Sequence, residues 1–301
     1  MTSPLHHSAY RIWFQQLMAE MENSSLTEFP RKTGMNNLTY NSPILLIEGT
    51  NVPHRFIYPV FALLLVTYLI ILITNIGVML LIMMDRSLQQ PMYLLFFSLS
   101  FNDVLGNTLS IPRLMVDVVS TVKSITYPGC VSQAFFTHTY ATSCHTVMMI
   151  MAFDRYVAIC HPLRYTSIMT PTMVAKLTVS AWSTSIMLVT ILLGLTVRLT
   201  RCRSVIAQAC NNPSLYKLSC QDVTINNIYG LTYSVVILGL SIGSVAFTYF
   251  RILASCVSRK NKELNRKAVQ TCSTHLLLYM VMLWSGFFIV ISDRVQILKV
   301  S

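Results

Sequence analysis

Six stretches of this chain hold at most one charge over lengths that a water-facing fold does not tolerate. Phe56–Met84, Ser124–Phe153, Leu177–Val197, Val223–Phe250 and Ala268–Ser292 hold no Asp, Glu, Lys or Arg, and Ser87–Pro112 holds only Asp103. A helix needs about 20 mostly apolar residues to cross a bilayer, and the shortest of these stretches has 21. In hydrocarbon the backbone N–H and C=O groups must pair with each other, which leaves helices and closed barrels as spanning forms. A barrel strand would alternate apolar and polar residues over about ten positions, and these stretches do not alternate. The expected fold is an all-α membrane protein, one helix bundle over 56–292, with a tail at 1–55 and a short remnant at 293–301. Composition agrees: 11% of residues are charged, against roughly 25% in soluble domains, too few to coat a water-facing surface.

Orientation rests on several signals together. With the N-terminus outside, inner loops carry 10 of the 22 Lys+Arg and outer loops carry 8, a slight positive-inside bias. The densest cluster, "SRKNKELNRK" (258–267), lies inside in that arrangement. The net charge of +11 reads as solvated loop charge beside anionic lipid, and no nucleic-acid partner is expected. Asn23 in "NSS" and Asn37 in "NLT" are glycosylation acceptors, usable only on the luminal and outer side. The first 34 residues lack an apolar signal-peptide core, so the first span is itself the membrane signal. A sequon closely follows both Met21 and Met35; if either is the start, some or all of 1–34 is an extension. Cys130, Cys202, Cys210 and Cys220 fall on the side of the sequons, where disulfides form, and four cysteines allow three pairings.

Polar residues inside the spans are the candidate functional groups. Asp103, near the middle of the second span, costs roughly 2.5–3.5 kcal/mol on insertion scales and must face the bundle interior. Asn75, midway along the first span, is the expected hydrogen-bonding partner. Asp154 and Arg155 end the third span at its inner boundary. Arginine is always charged and has five donors, so it can exchange partners, which suits a two-state latch. Pro162 then disfavours helix and turns the chain into a short loop. No zinc-type Cys/His spacing, nucleophile–base pair or Gly-rich phosphate loop occurs. No cofactor and no enzymatic activity are expected.

Four segments carry a resemblance. "MAFDRYVAICHPLRY" (151–165), "PMYLLFFSLSFND" (91–103), "YKLSCQD" (216–222) and "KAVQTCSTHL" (267–276) resemble, in family order, the third-helix, second-helix, second-outer-loop and sixth-helix motifs of vertebrate odorant receptors. That family is a branch of the rhodopsin-like G-protein-coupled receptors. The resemblance implies a plasma-membrane receptor that binds a small organic odorant and activates a stimulatory heterotrimeric G protein. It makes Arg155 the microswitch arginine and Asp154 its resting partner, within Asp154–Arg155–Tyr156. It places Tyr249 on the inward face of helix five and His275 low in helix six. It puts Asn75 and Asp103 in a central polar cluster, and it pairs Cys130 with Cys210 and Cys202 with Cys220. Ligand contacts are expected on the outer half of the bundle. Thr137, His138, Ala141 and Thr142 are candidates on helix three by i, i+4 spacing, joined by Tyr233, Ser234 and Phe287. For each, helix packing is the competing reading.

The departures set further expectations. Cys144, beside His145, stands where the family places a glutamate, which argues against cation binding at the cluster. "MLWSG" (282–286) replaces the family's aromatic motif, so the rotamer switch is expected to be altered or moved to Trp284. Six of the family's seven spans are found, so a bundle lacking its seventh helix is expected. The competing classes are a non-olfactory rhodopsin-like receptor and a six-span transporter or channel subunit. The latter would carry several intramembrane charges or inverted repeats.

Overall fold

Three of the long helices begin where the chain offers a proline for the first turn. The computed structural model describes residues 41–48, 52–206, 209–258, 266, 270, 272–287 and 291. Within them run α1 (Ile57–Met84), α2 (Pro91–Val119), α3 (Tyr127–Cys160), α4 (Pro171–Val197), α5 (Thr224–Ser258) and α6 (Cys272–Phe287). Proline occupies the first turn of α2, α3 and α4, where its missing N–H would have had no intrahelical partner. Thr126 caps α3 by accepting from the Gly129 amide at 3.3 Å, and Thr170 caps α4 by accepting from Met173 at 3.2 Å. Such caps contribute about 1 kcal/mol each. Asn23, Asn37 and most of the 258–267 basic cluster lie outside the described residues.

Four helical segments, His54–Met84, Pro91–Val119, Pro171–Val197 and Thr224–Val257, are by themselves long and apolar enough to cross a membrane. α3, although 34 residues long, is more polar, and the described part of α6 is shorter. The polarity of α3 has a physical reason: it is the central helix and packs against α2, α4 and α5, so its polar side chains face protein. The bundle is inverted relative to a soluble one. Leu63, Ile73, Met84 and Phe250 are exposed, while Asn102, Asp103, Ser143, Asp154, Ser185 and Ser241 are buried. α6 joins through Tyr279 and Met282, which share a core cluster with Met148 and Met151 of α3 and Val245 of α5.

Sequence reading did not anticipate the small sheet at the end carrying the α3 N-terminus. β1 (Ile44–Ile47) pairs antiparallel with β2 (Ser124–Thr126), Leu45 opposite Ile125, and parallel with β3 (Val205–Ile206). Part of the segment assigned to the tail is thus a strand between two loops. Arg201 pins it, donating to the Ser42 carbonyl at 2.8 Å while its guanidinium lies 3.5 Å over the Tyr127 ring. Beneath it, Leu45 is fully buried among Cys130, Cys210, Ile206 and Leu218. The Cys130–Cys210 and Cys202–Cys220 pairs are disulfides, with Cα–Cα separations of 5.2 Å and 5.8 Å. The first ties α3 to the loop after α4; the second closes a hairpin within that loop.

Leu45 locks the chain before α1 onto this lid. Leu45→Ala should cost about 2–5 kcal/mol, the range for emptying a filled core site. A thermal melt of the detergent-solubilised protein should fall clearly, and an unchanged midpoint would show that the strand does not hold the lid.

Candidate functional site

At the opposite end of α3 the Asp154–Arg155 charge pair folds back on itself. Asp154 is fully buried, and its Oδ2 accepts from Arg155 Nε at 3.0 Å and Nη2 at 2.5 Å. Its Oδ1 accepts from the Tyr165 hydroxyl at 2.9 Å. Tyr165 begins the short helix Tyr165–Ile168, reached through the turn that Pro162 initiates. Burial, and then the adjacent Asp154 carboxylate, push the Tyr165 hydroxyl above its ordinary pKa, so it remains a protonated donor at neutral pH. Sequence reading treated this tyrosine only as the end of a loop motif; its position eleven residues after Asp154 carries no periodic signal.

The neighbouring groups form a second layer. Tyr249 of α5 and His275 of α6 share a hydrogen bond of 2.7 Å between Oη and Nδ1, with rings stacked 5.9 Å apart. Tyr156 instead bonds His161 Nε2 at 3.3 Å and packs with Ile252, Cys256 and Cys272. It steadies the end of α3 and lies outside the Asp154 contact.

The central polar cluster differs in its partners from the sequence expectation. Asp103 accepts from the Tyr140 hydroxyl at 3.2 Å, whereas Asn75 donates to the Ile71 carbonyl of its own helix at 3.0 Å. A carboxylate takes the stronger donor that α3 aims at it, and the Asn75 amide is satisfied within α1. Beside it, Asn102 accepts from Ser143 at 2.9 Å and donates toward Cys144 Sγ at 3.1 Å. Gly106 makes room for this arrangement, since an added Cβ would stand 2.5 Å from the Tyr140 ring.

The candidate ligand residues separate into two sets. His138, Thr142 and Tyr233 come together: Thr142 and Tyr233 share a short hydroxyl–hydroxyl hydrogen bond, and the His138 and Tyr233 rings meet edge-on at 6.5 Å. His138 Nε2 also accepts from the Asn212 amide at 3.3 Å. Asn212 reaches Thr196 of α4, which Asn226 of α5 bonds in turn, so the disulfide-tied loop is stitched to three helices. Thr137 and Ala141 are exposed; one-residue steps turn them about 100° around the helix from His138 and Thr142. Ser234 donates to the Gly230 carbonyl of its own helix, and Phe287 is exposed. Trp284, the expected relocated switch, is also exposed, and buried Tyr279 occupies the core instead.

A bundle with its polar groups turned inward, a disulfide-tied lid at one end and an Asp–Arg–Tyr clasp at the other is that of a rhodopsin-like receptor. The family profile described as olfactory receptor matches residues 64–297. The chain is 34% identical to human (Homo sapiens) Olfactory receptor 52N4 over 229 residues, 75% of this chain and 71% of that protein. It is 34% identical to mouse (Mus musculus) Olfactory receptor 1E16 over 80% of this chain and 77% of that one. With human (Homo sapiens) Olfactory receptor 7C1 the identity is 32%, covering 85% and 81%. The chain belongs to the olfactory receptor family.

Because its ideal Cβ collides with ring carbons and not with a flexible tip, Gly106→Ala should displace Tyr140 and strip Asp103 of its donor. Interhelical hydrogen bonds in membranes contribute on average only about 0.6 kcal/mol, so the clash adds the larger part of the loss. Gly106→Ala should therefore melt at a lower temperature than Tyr140→Phe, which removes the bond without the clash. Equal melting of the two would contradict the steric account.

Proposed function

We propose that this odorant receptor lies in the plasma membrane with its N-terminus outside and couples to a stimulatory heterotrimeric G protein through the face that carries Arg155. The observation that carries this reading is the Asp154 carboxylate held by both Arg155 and Tyr165. Removing one partner of a buried ion pair costs about 3–5 kcal/mol when the remaining charge is stranded. Tyr165 reduces that cost, because the carboxylate keeps a donor when the guanidinium leaves. Arg155 then exchanges Asp154 for a contact on the G protein, as a guanidinium with five donors can.

The lid and the clasp lie at opposite ends of α3, so ligand binding and coupling communicate along one helix. His138, Thr142 and Tyr233 form a polar patch between α3 and α5 on the lid side, in reach of a small organic molecule. An agonist shifts the population only by binding the released state better than the clasped one. The Tyr249–His275 bond joins α5 to α6 beside the clasp, where the helices must part to admit a protein partner. The odorant, the G protein and the surrounding lipid are the partners of this reading.

Arg155→Ala should abolish agonist-stimulated cyclic AMP while leaving ligand binding in membranes intact; full coupling in that variant would remove the latch. Tyr165→Phe tests the second donor. It should raise the cost of release by about 1.5–3 kcal/mol and lower the maximal agonist response at equal surface expression. A rise in basal cyclic AMP instead would mean that Tyr165 restrains the resting state.

A further inference from the structure

Along the lid-side half of α1 and α2 a groove opens toward the lipid. Leu64 and Ile71 of α1 are buried in one cluster with Ile111 and Val118 of α2, the seam that joins the two helices. To one side of that seam Phe61, Leu65 and Tyr68 recur at i, i+4, i+7 on α1, and Pro112, Val116 and Val119 recur likewise on α2. These stripes line a cavity of about 480 Å³. From Pro112 to Ser120 it follows α2 for about 12 Å, at the helical rise per residue. Val116 and Val119 are 55% and 51% exposed, so the groove is open along its side. In a membrane-spanning bundle it meets hydrocarbon there.

Polarity is confined to one end. Pro112, inside α2, has no N–H and presents only ring carbon. The Tyr68 hydroxyl is drawn off to Thr108 Oγ1 at 3.2 Å. At the end nearest the lid stands the Ser120 hydroxyl, on the residue that caps α2; its side chain makes no hydrogen bond among the described residues. The cations at this end of α2 are engaged. Arg113 donates through Nε to Asp117 Oδ2 at 3.2 Å and through Nη2 to the Ser124 carbonyl at 2.8 Å, and Lys123 also has a partner. Neither is open to the phosphate of a phospholipid.

Inside a bilayer a groove does not select its occupant by hydrophobicity, since lipid tails are as apolar as its lining. Selection comes from packing and ordering. A flexible acyl chain gives up rotamer freedom to fill a fixed shape, whereas a rigid ring system has little to lose. We propose that the groove between α1 and α2 binds a membrane sterol, with its rings against Leu65, Pro112 and Val116 and its hydroxyl hydrogen-bonded to Ser120 Oγ. A rigid apolar body with one hydroxyl at its end matches an apolar groove with one hydroxyl at its end. The occupant bridges both helices. α1 packs chiefly against α2 and buries little of its surface within the bundle, so the sterol adds a second contact that seats it. The site depends neither on odorant binding nor on coupling.

The test uses the full chain in phosphatidylcholine nanodiscs with a cholesterol analogue that carries a diazirine on its rings. Illumination should label residues 61–68 and 112–120, read by peptide mass spectrometry. The labelling should saturate, and excess cholesterol should compete it away. A phosphatidylcholine with the diazirine in its acyl chain should label the same segments without saturating. Val116→Trp and Leu65→Trp fill the groove from either wall. Val116 and Leu65 are already 55% and 38% exposed, so neither change should lower the melting temperature in sterol-free nanodiscs. Each should weaken cholesterol competition about tenfold, while Ile73→Trp, at a position 70% exposed outside the groove, should leave it unchanged. Epicholesterol, with the hydroxyl inverted, should compete about threefold less well than cholesterol, and Ser120→Ala should erase that difference. Sterol labelling that does not saturate, or that saturates equally in both groove-filling variants, overturns the site. Saturable labelling by the phosphatidylcholine probe assigns the groove to an acyl chain and overturns it too. Equal competition by the two sterol epimers, a comparison that needs no substitution, overturns the Ser120 contact.

Discussion

Hydrocarbon offers a polar side chain no partner, and the arrangement of this bundle follows from that constraint. α3 is the least apolar of the long helices, so it must be surrounded, and α2, α4 and α5 pack around it. Four of its polar groups find neighbours on other helices at different levels: Tyr140 meets Asp103, Ser143 meets Asn102, Thr142 meets Tyr233, and His145 meets Ser241. These contacts do not add greatly to stability, since interhelical hydrogen bonds in membranes contribute on average only about 0.6 kcal/mol. Their consequence is positional. A helix whose polar groups are matched on three sides cannot rotate without leaving several of them unpaired.

That fixed rotation is what allows the two ends of α3 to do different work. At one end the Cys130–Cys210 disulfide and the buried Leu45 seat a three-stranded lid on the helix start. At the other, Asp154 holds two donors that belong to different segments. Between them the α3–α5–α6 hydrogen bonds form rungs at His145–Ser241–Tyr279 and Tyr249–His275. These rungs tie α3 to α5 and α5 to α6.

Much of this was legible in residue order. The charge-free stretches gave the helices, Pro162 ended α3 near where it stops, and the Asp154–Arg155 pair stood out against its uncharged neighbours. Other parts were not legible because they depend on which helices meet. Asn75 and Asp103 are both mid-span polar residues, and nothing local says that Asn75 turns to its own backbone while Tyr140 takes the carboxylate. Trp284 and Tyr279 are both aromatic residues on α6; the rotation of the helix makes one outward-facing and the other core. Residues 44–47 carry an apolar run too short to identify, and become a strand only because two distant loops supply its edges.

The sequence by itself determined that this chain is a membrane-spanning helix bundle with a charged pair at one boundary, because the cost of burying charge and unpaired backbone in lipid acts on each segment alone. Tertiary structure decided the partners. Tyr140 on Asp103 and Ser241 between His145 and Tyr279 arise from the side-by-side placement of segments far apart in the chain, and Tyr165 reaches Asp154 only through the turn that follows α3. Hydrogen bonds reach only about 3 Å, so no spacing along one strand of sequence contains them.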